Sequence, residues 1–173
     1  FSDGVVWNFS DLIQKSAIGT DRDDFIKGMG VITGNGGNDN LSALYSIYGD
    51  YAVQLEGGVG NDTLVGYLGN DTFVGGAGDD YIEDAGNVIG KNVVVFNRGD
   101  GLDRLNMRNS GNSLIFGVGI APSDVSIKKL NDTYGTKVIE LNSGERLTLQ
   151  GETAFDNIQF ATGENWNAEF IRR

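Results

Sequence analysis

The chain of 173 residues contains no cysteine, no histidine and a single proline. Without cysteine it can form neither a disulfide framework nor a thiolate metal site. Without histidine it lacks the usual general base, the Ser-His-Asp triad and the HExxH zinc motif. We therefore expect a protein that is not an enzyme. Any metal site must rely on hard oxygen ligands, which suit calcium far better than zinc.

Positive charge is also scarce, since 13 Lys and Arg residues face 24 Asp and Glu residues and leave a net charge of −11. Nucleic acids and anionic membrane surfaces would repel such a chain, so we expect neither as a partner. No apolar run approaches the roughly 18 to 20 residues of a membrane span. The chain begins at Phe1 without methionine and without a visible signal peptide, and we interpret it as an excerpt from a longer protein.

Glycine, by contrast, is abundant, with 27 residues, and much of it recurs with a period of nine. Residues 57–65, 66–74 and 75–83 read GGVGNDTLV, GYLGNDTFV and GGAGDDYIE, and residues 34–42 read GNGGNDNLS. Weaker copies occupy residues 19–27, 87–95 and 98–106. The sixth position of the copies holds, in chain order, Asp24, Asp39, Asp62, Asp71, Asp80, Asn92 and Asp103. The segment between Ala43 and Glu56 interrupts the period, and we interpret it as an insertion.

A nine-residue period is not helical, and frequent glycine would weaken a helix. It fits a six-residue turn followed by a short strand whose eighth position points inward, and these positions hold Leu41, Leu64, Phe73 and Ile82. Two nonads then complete one coil of a flattened parallel solenoid. Turns two repeats apart stack on one edge, so Asp62 should face Asp80, and Asp71 should lie on the opposite edge.

Stacked carboxylates repel each other, whereas a calcium ion between them would convert that repulsion into coordination. Calcium binds six to eight oxygens at about 2.3–2.6 Å, more than two aspartates supply. Backbone carbonyl oxygens must complete the shell, and glycine lets them approach. The coupling of glycine and aspartate in one motif therefore predicts calcium sites in the turns.

These nonads resemble the GGxGxDxUx repeats of the repeats-in-toxin (RTX) family. The resemblance implies a calcium-binding β-roll with an ion between turns i and i+2. Carried over, one site uses Asp62 with the carbonyls of Gly57 and Val59, closed by Asp80 with Gly76 and Gly78. The same pattern implies Asp71 with Gly66 and Leu68 on the other edge, Asp39 with Gly34 and Gly36, and weaker sites at Asp24, Asn92 and Asp103. Counting turn pairs gives about three to five ions.

From Val93 onward, short β-rich runs alternate with turn signals, which indicates antiparallel strands and hairpins. This region resembles the segment that follows RTX repeats, and we expect it to cap the roll. FSDGVVW at the start and FATGENW near the end resemble block-closing segments, each followed by a short helix with Asn8 or Asn167 as N-cap. We thus expect an all-β protein with short terminal helices. Its divisions are the tail of a preceding block (1–16), the β-roll (17–92) and the β-rich cap (93–173).

The resemblance implies a calcium-binding folding module of a secreted bacterial RTX protein of toxin or haemolysin type. Such a module is exported by type I secretion machinery, is disordered without calcium, and folds into a β-roll in extracellular calcium beside neighbouring RTX blocks. A repeat or spacer segment of an RTX adhesin is the alternative. The tripeptide Arg98-Gly99-Asp100 spells an integrin-type motif, but we interpret it as a degenerate turn of the roll.

Overall fold

The computed structural model describes residues 17–44, 51–86, 90–108, 111–133, 136–150 and 155–167. The two predicted terminal helices, after Asn8 and after Asn167, lie outside these residues. Residues 45–50 of the predicted insertion also lie outside them. Within the described part of the chain, no helix is long and apolar enough to cross a membrane.

The described strands form two eight-stranded sheets. The first sheet contains, in spatial order, β1 (Ala17–Ile18), β3 (Val31–Gly36), β5 (Gln54–Val59), β7 (Thr72–Ala77), β9 (Val93–Phe96), β11 (Asn112–Phe116), β15 (Phe155–Phe160) and β16 (Asn165–Asn167). The second contains β2 (Phe25–Gly28), β4 (Asn40–Ala43), β6 (Thr63–Gly66), β8 (Tyr81–Asp84), β10 (Leu102–Met107), β14 (Arg146–Leu149), β13 (Lys137–Leu141) and β12 (Val125–Lys129). Odd and even strands up to β11 alternate between the sheets, so the chain winds as a parallel roll.

The register of the strands gives the length of one coil. Gln54 pairs with Thr72 in the first sheet, and Thr63 pairs with Tyr81 in the second, so each of these coils takes two nonads. Strands of the first sheet are longer than the sequence predicts, because β5 continues through the two glycines to Val59. There Gly58 lies in register with Gly76, and the backbone of neighbouring coils stays paired into the turn.

The core lies between the sheets, where alternate residues of each strand point inward. The eighth positions of the four clear nonads are all at most 1 % exposed, as predicted: Leu41, Leu64, Phe73 and Ile82. The coil interior is narrow, so each strand contributes only one or two large side chains. Hydrophobic burial per coil is therefore modest.

Parallel pairing continues beyond the four clear nonads, since β9, β10 and β11 each pair in parallel with the preceding coil. The physical reason is that their alternating apolar residues, such as Val94 and Leu114, extend the same interior. The predicted antiparallel pairing is found farther along, in β12–β13–β14 and in β15–β16. The predicted all-β class, a parallel roll followed by antiparallel strands, is confirmed.

Arg98 connects the β12–β13 hairpin region to the roll through hydrogen bonds. Its guanidinium donates hydrogen bonds to the Gly119 carbonyl, to the Ser143 hydroxyl and to the Asp124 carboxylate. Asp100 is 6 % exposed, and its carboxylate accepts a hydrogen bond from the Asn97 backbone. Both charges of the Arg-Gly-Asp tripeptide are thus engaged within the fold, in agreement with its interpretation as a turn.

Candidate metal centre

Five aspartates stack along one edge of the roll, where the chain passes from the first sheet to the second. We call this the first edge. Each carboxylate after that of Asp24 accepts a hydrogen bond from the backbone N–H of the aspartate one coil earlier. The donors and acceptors, with their N to Oδ1 distances, are Asp24 to Asp39 (2.8 Å), Asp39 to Asp62 (2.8 Å), Asp62 to Asp80 (2.8 Å) and Asp80 to Asp103 (3.0 Å).

Residues at the fifth position of the motif form a second series of hydrogen bonds between neighbouring coils, next to the aspartate series. The Asn61 N–H donates to Asn38 Oδ1 (2.8 Å), and the Asp79 N–H donates to Asn61 Oδ1 (2.9 Å). The Leu102 N–H continues the series to Asp79 Oδ1 (3.0 Å). The paired polar residues at positions five and six therefore both satisfy turn N–H groups of a neighbouring coil, which sets the register of the turns.

The second oxygen of several carboxylates lacks a hydrogen-bond partner. The Oδ2 atoms of Asp39, Asp62, Asp71 and Asp80 are buried and have no hydrogen-bond partner among the described residues. The side chains themselves are at most 2 % exposed. An unsatisfied buried acceptor costs about 1–3 kcal/mol, and more when it is charged. This arrangement fits a cation, because a bound cation would satisfy the atoms that the protein leaves unpaired.

Glycine at the first position makes room for that oxygen. A Cβ atom at Gly57 would overlap Asp62 Oδ2 and the Gly75 carbonyl oxygen. A Cβ atom at Gly34 would likewise overlap Asp39 Oδ2 and the Gly57 carbonyl oxygen. A carboxylate oxygen and a carbonyl oxygen of the adjacent coil therefore converge at a glycine, which is the mixed donor set that calcium takes.

The remaining predicted carbonyl donors lie in the same stacked turns. Val59 ends β5, and its carbonyl oxygen accepts a hydrogen bond from the Gly37 N–H (3.0 Å), which leaves its second lone pair. Gly76 and Gly78 have φ values of +101° and +146°, which favour glycine and re-aim the backbone within the turn. Gly36 ends β3 in the turn that leads to Asp39.

Asp71 lies on the opposite edge of the roll, the second edge, where the chain returns from the second sheet to the first, in the turn that also holds Gly66 and Leu68. Its Oδ1 accepts from the Val53 N–H (3.0 Å), and its own N–H donates to Asn92 Oδ1 (2.8 Å). Asn92 in turn donates its N–H to Asn112 Oδ1 (3.1 Å). A second ladder thus runs here with asparagine in place of two aspartates.

Comparison with known families agrees with this geometry. The RTX calcium-binding nonapeptide repeat, in four copies, matches residues 31–44 and 54–83, which hold four of the ladder carboxylates: Asp39, Asp62, Asp71 and Asp80. This segment is an RTX-type calcium-binding repeat domain. A search of curated proteins gave no match.

Among solved structures, this chain is similar to the extracellular lipase LipA from Serratia marcescens. The identity is 19 % and the TM-score 0.39, and the similarity covers 80 % of this chain. This chain spans only 38 % of the length of that lipase.

Burial raises the pKa of the aspartates in the ladder. Desolvation, with a smaller contribution from neighbouring carboxylates, raises the pKa of Asp71 to about 6, of Asp80 to about 7 and of Asp103 to about 8. Desolvation also raises the pKa of Asp39 and Asp62. The charged forms are therefore disfavoured in the protein alone, and a bound cation would reverse that preference.

Side chains alone do not make a metal cluster in the RTX roll. No group of three or more His, Cys, Asp or Glu side chains suited to a metal occurs among the described residues. A calcium site here must therefore draw on backbone carbonyls, as the sequence predicts.

The weaker predicted sites differ from the clear ones. Asp24 is half-buried, and its Oδ2 accepts from the Thr20 N–H (2.6 Å) and hydroxyl (2.9 Å), so this oxygen is already satisfied. Asp103 is 2 % exposed and closes the first-edge ladder. Asn92 offers an amide oxygen instead of a carboxylate.

Sequence reasoning missed one buried acid, Asp84, which is 0 % exposed beside Asn92. The signal was present, because an aspartate follows the nonad 75–83 directly, at the place where the next nonad would begin with glycine.

Proposed function

We propose that this RTX domain is a non-catalytic folding module of a secreted bacterial protein of toxin or haemolysin type, unfolded without calcium and folded in extracellular calcium. The observation that carries the proposal is the set of four buried carboxylate oxygens without a hydrogen-bond partner in the four matched repeats. A chain that buries them unpaired needs a cation to make the folded state favourable.

The energetics support a switch rather than a permanently folded domain. Each coil has a narrow interior, and small cores need an additional source of stability. The ladder buries the carboxylates of successive coils close to one another. Because their charges are desolvated and repel each other, they oppose folding in the absence of metal. When bound, calcium supplies the positive charge and the coordination that offset this cost, so binding free energy becomes folding free energy.

The switch also suits export. An acidic chain that stays unfolded in a low-calcium cytosol can pass through type I secretion machinery and fold outside, where calcium is millimolar. We further propose that neighbouring RTX blocks of the same chain stack on the roll at β1 and β2. Ile18 and Phe25 on these terminal strands are 71 % and 70 % exposed, which supports an apolar partner there.

The test is circular dichroism of the protein with a chelator, followed by titration of calcium. We expect loss of the β-sheet signal with the chelator and a cooperative return with calcium. Magnesium is the matched control, because it prefers a rigid octahedral shell and retains its waters, and it should not restore the signal at equal concentration. A β-sheet spectrum that the chelator leaves unchanged contradicts the proposal.

A further inference from the structure

Asp84 occupies a position that the earlier coils of the second sheet give to small residues. It ends β8, and its register partners on the two neighbouring strands are Gly66 and Met107. The corresponding residues of the earlier coils in this sheet are Gly28 and Ala43, themselves in register with each other. A fully buried carboxylate thus stands where the repeat pattern has no polar side chain.

This aspartate is coupled to Asn92, the sixth-position residue that lacks a carboxylate. Asn92 Nδ2 donates a hydrogen bond to Asp84 Oδ2 (2.8 Å), and the Gly86 N–H donates to Asp84 Oδ1 (2.9 Å). By register with the preceding coil, Asn92 stands where that coil has Asp71, and Asp84 stands where it has Gly66. The coil therefore keeps one carboxylate at the second edge, supplied from a different position.

Asp71 brings the second carboxylate to the same place. Its backbone N–H is bonded to Asn92 Oδ1, so the two turns are stacked. Its Oδ2 is buried and has no hydrogen-bond partner. That atom lies beside Gly66, where an added Cβ would be 2.6 Å from it, and Gly66 is the register neighbour of Asp84.

Two further observations point to a cation at this position. None of the ion pairs among the described residues involves Asp71 or Asp84. The Tyr67 carbonyl oxygen lies at Gly86, next to Asp84 Oδ1, and adds a neutral oxygen donor to the group. Two buried carboxylates without a counter-ion, together with a carbonyl oxygen, form the kind of oxygen donor set that calcium accepts.

We propose that Asp84, a residue outside the repeat motif, joins Asp71 in binding one calcium ion at the second edge of the roll. Asn92 acts as a positioning residue that holds the Asp84 carboxylate through Nδ2. The identity of the ion rests on the proposed function, whereas the role of Asp84 rests on its own contacts.

The test counts calcium ions by isothermal titration calorimetry on the unmodified protein and on four variants. We expect Asp84→Asn and Asp71→Asn each to bind one ion fewer than the unmodified protein, and the combination of the two to bind no fewer than either alone. Asp156→Asn, which removes an exposed charge, should leave the count unchanged. If Asp84→Asn binds the full number of ions with unchanged affinity, the proposal is overturned and Asp84 only caps the turn at Gly86.

A rescue variant separates ligand loss from a folding defect. Asp84→Asn combined with Asn92→Asp returns the carboxylate to the sixth position, and we expect it to restore the missing ion. Failure of this pair to bind it, although the chain folds in calcium by circular dichroism, would contradict the carboxylate exchange. If the unmodified protein binds no calcium at all, the proposed function itself fails, and that result is distinct from an unchanged count in Asp84→Asn.

Discussion

Asp62 donates its backbone N–H to Oδ1 of Asp80 at 2.8 Å, while its own Oδ2 stays buried without a partner. The aspartate side chain therefore has two roles in each turn. One carboxylate oxygen holds the turn of the preceding coil, and the other remains for a cation. The proposed metal binding would therefore be linked to coil stacking through one residue, and perturbing either should affect both.

Removing charge from this pair should weaken calcium binding while the ladder is retained. In Asp62→Asn with Asp80→Asn, the amide oxygens can still accept the stacking hydrogen bonds, but the negative charge is lost. We expect fewer bound calcium ions and a higher calcium midpoint for folding, measured by calorimetry and circular dichroism. The control, Asp156→Asn with Glu164→Gln, removes two exposed charges and should leave both quantities nearly unchanged. Equal effects of the two pairs would indicate a general charge effect.

The absence of a side chain at Gly57 should be essential for the site. Gly57→Ala would drive a methyl group into Asp62 Oδ2 and the Gly75 carbonyl, and overpacking of this kind costs about 1–3 kcal/mol. We expect a lower urea midpoint in saturating calcium and a weaker calcium affinity. Gly36→Ala is the matched control, since its Cβ would come no nearer than 3.6 Å to any atom, and its effect should stay within about 1 kcal/mol. If the two variants have the same urea midpoint and the same calcium affinity, the predicted steric overlap at Gly57 is contradicted.

The metal-free protein should gain β-structure as the pH falls. The pKa of Asp71, Asp80 and Asp103 is raised to about 6, 7 and 8, above the unfolded value of about 4. The folded state then binds more protons than the unfolded state, so its stability rises as pH falls from about 8 to about 4.

Circular dichroism of protein freed of calcium, compared at pH 8 and pH 5, measures this effect. The calcium-loaded protein should show the opposite trend, because protons compete with calcium for the carboxylates. A metal-free signal that declines from pH 8 to pH 5 would contradict the prediction.

Arg98 should control how firmly the β12–β13 hairpin is held. Arg98→Ala removes hydrogen bonds to Gly119, Ser143 and Asp124. In calcium, we expect faster hydrogen exchange in Val125–Lys129 and Lys137–Leu141, with unchanged protection of the roll strands. Arg108→Ala, which removes only an exposed ion pair to Glu83, should leave the hairpin unaffected. Uniform acceleration across the roll would show that Arg98 supports the whole fold instead.

Local pattern made much of the roll predictable. The inward eighth position, two nonads per coil, and the placement of Asp62 and Asp80 on one edge all follow from the period, because identical repeats adopt equivalent positions in a solenoid. The continuation of parallel pairing through β9 to β11 did not follow. Val93–Phe96 belongs to a weak copy of the nonad that keeps Gly90 but lacks the aspartate and the other glycines of the motif. Only the presence of an earlier coil determines whether such a strand pairs in parallel or folds back.

The sequence by itself determined which donors are available: a chain without cysteine or histidine, with glycine and aspartate in a nine-residue period, offers hard oxygen ligands in its turns. The tertiary structure alone decided which oxygens remain unpaired and which carboxylates meet. Asp84 lies thirteen residues from Asp71 and belongs to no repeat, yet the stacking of β6 on β8 brings it to the second edge. Contacts between side chains of different coils depend on the register between the coils. That register is set by backbone hydrogen bonds across the whole roll and not by any single repeat.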